Sequence, residues 1–255
     1  MLKIIINADD LGGFQTCNDA VFELMAKGKI SSSTLMANGP FFTDAVVRAK
    51  NFPQCSFGVH LNISQFFPLI PDKAFQESGI LDSYGAFRYR KLIIPTRGLI
   101  RAIQWEWAAQ VAKIRDSGIT ISHVDSHQHV HTRLWMYPIL KFVCEKFNIK
   151  KIRSKFGRHE LSRSGHFLKR IVRQVRGMSH RIIQTKILGL RSTDHFACLG
   201  DGLDFLSHRK IVTNLTIELM CHPDVPNFED DLPTLRSDYE SKIRTPFQLV
   251  SYREL

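Results

Sequence analysis

Short apolar runs that stop at polar residues, each followed by a stretch of helical period, recur along this chain. That alternation is the pattern of parallel strands joined by crossovers. The runs Leu2 to Ala8, Ile30 to Ala37, Cys55 to His60, Ile119 to Val124, Ile149 to Arg153, Ser192 to Ala197 and Leu215 to Cys221 are predicted strands, and Gln248 to Tyr252 is a candidate eighth. Between the first two, Val21, Leu24 and Met25 predict a helix from Cys17 to Lys29, with Thr16 as N-cap and Gly28 near its stop. Ile100 to Ser117 and Trp135 to Phe147 repeat the pattern, Pro138 being tolerated because it falls in a first turn. Ile63 to Thr96 carries Pro68, Pro71 and Pro95 without a sustained period and reads as a long excursion near the site, in the manner of a lid. Together these units predict an α/β fold, a single-domain deformed (β/α) barrel with about seven parallel strands over residues 1–255. This is favoured over an open doubly wound sheet, although periodicity alone fits both.

Four polar motifs fall at the carboxyl ends of predicted strands. They are Asn7-Ala8-Asp9-Asp10, Gly58-Val59-His60-Leu61-Asn62, the run from His123 to His131, and Met220-Cys221-His222-Pro223. In parallel α/β folds that edge is where active sites assemble. Adjacent carboxylates ending an apolar strand need a cation or donors beside them, and a divalent metal would supply the cation. Neighbouring side chains of a strand point to opposite sides, so Asp9 and Asp10 can share one small volume only where the strand ends or twists. His127, His129 and His131, spaced by two, would line one face of a strand, and imidazoles are common ligands for zinc-like ions. Taken singly, Asp-Asp reads as a helix cap or turn, His60 as a core histidine, His222 as a strand end and the histidine run as a solvated loop. On one rim they read as one site: two histidines and one carboxylate leave metal positions open, and a second carboxylate is available as a base.

Composition bounds this reading. The 255 residues are 44% apolar, enough for one enzyme-sized domain. Five cysteines without a CxxC pair suggest reduced thiols, and neither a signal peptide nor an apolar run of ~20 residues is evident. A cytoplasmic protein is expected. The net charge of +11 is concentrated between Lys150 and Arg191, where thirteen basic residues accompany one acidic residue, Glu160. From Phe167 to Leu188 apolar residues recur at helical spacing, so the segment 154–191 is predicted to be basic and helical.

The motifs resemble those of the YdjC-like carbohydrate deacetylases, which include the chitooligosaccharide deacetylases. Asn7-Ala8-Asp9-Asp10-Leu11-Gly12 is similar to the family's NADDFG, Gly58 to Asn62 to its GLHLN, His123 to His131 to its HVDSHQHVH, and Glu218 to Pro223 to the start of its ELMCHPG. The resemblance runs from the first predicted strand to the last, and it implies a deformed (β/α) barrel that hydrolyses the N-acetyl group of a sugar. It further implies that Asp10, His60 and His127 hold one divalent ion, zinc or magnesium, and that Asp9 is the general base. Leu11 stands where the family has Phe, and Asp224 where it has Gly. The part from Arg236 to Leu255 is shortened, and the basic stretch matches no family motif.

His222, with a reference pKa near ~6.5, is the candidate general acid for the departing amine. Asp125 could orient a ligating histidine by accepting its other ring proton, or else fix the loop backbone. His129, His131 and Asn62 are candidates for supporting the ligands or contacting substrate. The basic segment fits a solvated barrel face, or contact with an anionic membrane or glycan that would suit a lipid-linked amino sugar. Competing readings are another metal-dependent amidohydrolase or phosphoesterase on the same barrel, and a non-catalytic protein binding an anionic polymer. No nucleic-acid partner is expected, because aromatic platforms are not interleaved in the basic segment. A homo-oligomer is compatible with the sequence.

Overall fold

The computed structural model describes residues 1–154, 182–211, 214–226 and 228–255. Most of the basic segment predicted at 154–191 therefore lies outside the described residues. Strand β1 (Leu2–Leu11) is the axis of the molecule, and Ile4, Ile5 and Ile6 on it are fully buried. A continuous apolar run of this kind is what a parallel strand covered on both faces requires. Helix α1 (Gln15–Ala26) leads to β2 (Ser32–Leu35), α2 (Phe42–Ala49) to β3 (Ser56–Leu61), and α3 (Lys73–Glu77) and α4 (Arg97–Asp116) to β4 (Ile121–Ser126). After α5 (Tyr137–Lys146), the described chain continues through β5 (His195–Cys198), α6 (Leu199–His208), β6 (Thr216–Cys221), α7 (Asp231–Arg236) and β7 (Phe247–Leu249). The strands order as β4-β3-β2-β1-β6-β5, all parallel, and β7 adds to the start of β1. This is the predicted barrel-like α/β sheet of seven strands.

One predicted strand differs. Ile149 to Arg153 forms only isolated parallel bridges, Val124 with Ile152 and Lys151 with Arg191. Its two lysines interrupt the apolar run, and the Lys151 ammonium is drawn to the carbonyls of Tyr252 and Arg253 at 2.6 and 2.9 Å. The segment nevertheless occupies the flank of β4, and so carries Arg153 to the carboxyl edge.

Helix α1 begins earlier than predicted. Its N-cap is Phe14, and Thr16 lies inside the first turn, where its hydroxyl donates to the Asp224 carbonyl at 3.0 Å. At the other end Gly28 takes φ +66°, the left-handed conformation that ends helices. Helix α4 is capped by Thr96, whose side chain accepts from the Leu99 amide. Pro138 sits in the first turn of α5, as expected. The excursion between β3 and α4 contains the short α3 and one antiparallel bridge, Leu81 with Phe87. Glu106, fully buried on α4, anchors it by accepting from the amides of Leu69 and Ile70 at 3.0 and 2.8 Å. Among the described residues, no helix is long and apolar enough to cross a membrane.

The turn after β1 is locked against the turn after β2. Gly12 donates its amide to Asn18 Oδ1 at 2.7 Å and accepts from Phe41 at 2.9 Å. Gly39 packs so closely on this turn that a Cβ there would lie 2.2 Å from the Gly12 carbonyl oxygen. Gly39→Ala is therefore expected to destabilise the fold by roughly 1–3 kcal/mol, since backbone must move. Urea denaturation of variant and wild type, compared at one pH, measures it.

Candidate active site

The residues that carry chemistry reach the carboxyl edge by different devices. On β1, the pairing with β2 shifts register between Ala8 and Leu11, and Asp10 adopts φ 63°. Such a bulge re-aims a side chain. It supplies the twist that two successive aspartates need, and both carboxylates converge near His60. On β3, His60 follows Gly58, where a Cβ would stand 2.6 Å from the His123 ring and 2.8 Å from its carbonyl oxygen. Glycine there lets β3 and β4 close up.

Asp10 Oδ1 lies 2.8 Å from His127 Nδ1 and 3.1 Å from His60 Nε2. The other ring nitrogen of His60, Nδ1, sits 2.6 Å from Asp125 Oδ1, the pairing anticipated for Asp125. With the Nδ1 proton donated to that carboxylate, the Nε2 lone pair faces Asp10. Nε2 is buried and makes no hydrogen bond of acceptable geometry. One ligand atom from each of Asp10, His60 and His127 falls within 4.8 Å of the others. One nitrogen of each ring sits beside the Asp10 carboxylate in a buried space, and two imidazoles with a carboxylate are a set that could hold a divalent ion in place of the protons they otherwise share. Burial pushes the Asp10 carboxyl up, but the adjoining His127 and His60 outweigh it and hold it well below the usual range. Burial likewise lowers His60, yet Asp125, Asp9 and Asp10 raise it overall.

Asp9 is committed to a different partner. Arg153 Nη1 donates to its Oδ2 and Nη2 to its Oδ1, both at 2.6 Å, and Asn7 Nδ2 donates to Oδ1 at 2.9 Å. Arg153 also pairs with Asp125 at 2.7 Å and, through Nε, with Glu218 at 2.6 Å. All four groups are buried. Burial raises Asp9, but Arg153, His60 and His222 bring it far below the usual carboxylate range. For Glu218 burial prevails over the shared guanidinium and the Tyr252 hydroxyl, and its carboxyl is pushed up to about 7. Tyr252 stacks on His123 with ring centres 3.6 Å apart.

His222 stands at the margin. Its Nε2 is 3.8 Å from Asp9 Oδ2 and its Nδ1 3.9 Å from Asp231 Oδ2, ionic range rather than hydrogen-bond range. Asp231 also accepts from the His222 amide at 2.7 Å, and the ring lies on Phe228 at 3.8 Å.

The histidine run does not line a strand face. β4 ends at Ser126, and His127–Thr132 forms tight turns in which Gln128 and His129 adopt φ 51° and 53°. The left-handed residues send the three rings apart. His127 reaches Asp10, His129 sets its edge against Phe196 at 5.6 Å, and His131 turns inward to Ser126 Oγ at 2.6 Å and the Arg153 carbonyl at 3.2 Å. Asn62 is fully buried, its side chain occupied by Asn38, Ser64 and Gln65 in shaping the loop. Sequence reasoning missed Arg153, Asp231 and the part played by Glu218 and Tyr252. Arg153 carried one signal, its place at the end of a predicted strand on the same edge as the other motifs, though the lysines before it make it read as part of a basic stretch.

A parallel barrel-like sheet with a buried carboxylate and imidazole cluster at its carboxyl edge has the architecture on which α/β enzymes assemble their active sites. The profile of the family described as YdjC-like protein matches residues 3–250, and the chain belongs to that family. A carbohydrate deacetylase of Vibrio cholerae serotype O1 (strain ATCC 39541) is 34% identical over 149 residues, 58% of this chain and 57% of that protein. Another, of Listeria monocytogenes serotype 4a (strain HCC23), is 30% identical over 263 residues, 100% of this chain and 93% of that protein. The matched region thus spans little more than half of the first relatives, 57% of the Vibrio protein and 62% of one from Halalkalibacterium halodurans. Among solved structures, an Enterococcus faecalis V583 protein provisionally described as a cellobiose-phosphate cleavage protein superposes with TM-score 0.73. It has 20% identity and covers 99% of this chain and 98% of that one, which establishes the shared fold.

The raised Glu218 carboxyl has a consequence for stability. A carboxyl whose value climbs from 4.5 to about 7 on folding favours the folded state below 4.5 and loses that contribution as pH rises through 7. Removing the ionisable group in Glu218→Gln should flatten the dependence between those limits by up to ~3 kcal/mol, at ~1.4 kcal/mol per pH unit. Urea denaturation at pH 4.5, 6 and 7.5 reads it, and parallel curves for both proteins would contradict it.

Proposed function

We propose that this chain is a metal-dependent hydrolase that removes the acetyl group from an N-acetylated sugar. The observation that carries the reading is the convergence of Asp10, His60 and His127 beside the Arg153-held Asp9. The relatives of Vibrio and Listeria, both carbohydrate deacetylases, agree with it. Asp10, His60 and His127 would hold one zinc or magnesium ion, whose Lewis acidity acts on a water molecule and on the acetamide oxygen.

The chain's own groups handle the protons. Arg153 keeps Asp9 ionised at neutral pH, so its oxygens can receive a proton from the attacking water. Asp9 Oδ2, the oxygen that looks toward His222, is the assigned acceptor. His222 Nε2, 3.8 Å away, then faces the same space and delivers a proton to the departing amine. Asp125 fixes the His60 ring by accepting a hydrogen bond from its Nδ1–H, which would leave Nε2 as the ligand atom. Asp231 steadies His222 through its main-chain amide. His131 acts through position alone, tying Ser126 to the Arg153 backbone. Five free cysteines support a reducing, cytoplasmic setting.

Acetate release from N-acetylglucosamine oligomers and lipid-linked N-acetyl sugars by metal-reconstituted protein tests the proposal, and its absence with every substrate would overturn it. The two aspartates should separate. Asp10→Asn is expected to lose the metal, whereas Asp9→Asn retains it and loses turnover by roughly 10²–10⁴-fold. Metal analysis by mass spectrometry beside the kinetics checks this, and equal metal content in wild type and Asp10→Asn would contradict it.

A further inference from the structure

The excursion between β3 and α4 ends in a loop that is both basic and conspicuously apolar at its tips. Leu92 is 78% exposed, Ile94 74% and Tyr89 50%. Five arginine or lysine residues lie from Arg88 to Arg101, and no carboxylate occurs between Ser83 and Trp105. Leu134, 65% exposed, belongs to the same side, because its neighbour Arg133 donates to the Arg90 carbonyl at 2.6 Å. Bulky aliphatic groups held in water within a field of one sign mark a surface that meets something apolar and anionic.

The loop borders the candidate active site from two directions. Arg133 directly follows the turns that present His127. The Phe87 amide donates to Phe66 at 2.7 Å, and Phe66 packs edge-on against Phe14, just beyond the Asp9–Asp10 turn. Arg88 and Arg90 each donate to the Gly79 carbonyl, at 3.2 and 3.3 Å, which ties the basic part of the loop to the turn after α3.

We propose that this loop, with Leu134, docks the protein onto an anionic lipid surface, Leu92 and Ile94 entering the boundary between headgroups and acyl chains while the flanking cations meet lipid phosphates. Charge complementarity selects this occupant. An apolar loop ringed by arginine and lysine matches the two-part chemistry of that interface. A nucleic acid would satisfy the cations and could stack on Tyr89, but it would leave Leu92 and Ile94, the most exposed aliphatic groups of the loop, without an apolar partner. Docked this way, the carboxyl edge of the barrel faces the headgroup layer. The substrate class that follows is an N-acetyl sugar carried on a lipid anchor, and this second step rests on the deacetylase reading, whereas the docking does not.

The test uses the full chain with phosphatidylcholine vesicles, with and without phosphatidylglycerol. Flotation with the phosphatidylglycerol vesicles at low salt is expected, with little retention on neutral ones. The pairs Leu92→Asp with Ile94→Asp, and Arg90→Glu with Lys91→Glu, should each lower retention on the order of tenfold or more. Both variants should keep wild-type circular dichroism and metal content, and both should keep wild-type acetate release from a soluble N-acetyl sugar. Wild type should deacetylate an N-acetylglucosaminyl lipid in those vesicles with a higher kcat/KM than either variant. Failure of the wild type to float, flotation of the variants equal to it, or retention on a single-stranded oligonucleotide in place of vesicles would each overturn the docking. Flotation without acetate release from any substrate would instead strike the deacetylase reading and leave the docking standing.

Discussion

A single buried guanidinium organises the carboxyl edge of this barrel. Arg153 has no exposed surface and touches three carboxylates, Asp9, Asp125 and Glu218, which arrive on β1, β4 and β6. Burying one such anion without a partner is prohibitive, and burying three around one cation is tolerable only when the charge is divided. The division is uneven. Asp9 takes two parallel N–H bonds and stays ionised, while Glu218 takes one and is pushed toward its neutral form. Such bidentate geometry is what arginine provides and lysine does not. The same arrangement leaves Asp125 able to serve two masters, Arg153 on one oxygen and His60 on the other.

Around that hub the site has two halves with different electrostatic characters. On one side, Asp10 lies between His60 and His127, and His60 Nε2 makes no hydrogen bond there. On the other, Asp9 is fully satisfied and stands between Arg153 and His222. The β1 bulge makes the separation possible, since it lets two consecutive carboxylates serve opposite sides of one cluster. The C-terminal segment supports the hub from below. A capping box between Ser251 and Glu254 sets the last turn, and Tyr252 reaches from it to Glu218 while its ring covers His123. A short tail thus does structural work at the centre of the barrel.

Much of this was legible in the residues themselves. Apolar runs ending in polar motifs announced the parallel sheet, because a strand buried on both faces must be continuously apolar and its chemistry must gather where it ends. The meeting of Asp9, Asp10, His60 and His127 at one edge was recognisable for that reason, and Asp125 does lie against one of those histidines, His60. The register of two in His127, His129 and His131 was misleading, since period describes side-chain direction only while the backbone remains extended. Here Gln128 and His129 turn left-handed immediately after β4.

Which segments are buried and which chemistry collects at their ends follows from the order of the residues, because burial and local period are properties of neighbouring residues. Tertiary structure alone decided that Arg153, which reads locally as one more charge in a basic stretch, is the counterion of Asp9, and that Tyr252 completes the hub through Glu218. These pairings join residues 144 and 34 positions apart. A long-range ion pair is set by the register and closure of the sheet, and no local pattern encodes where a distant charge will come to rest.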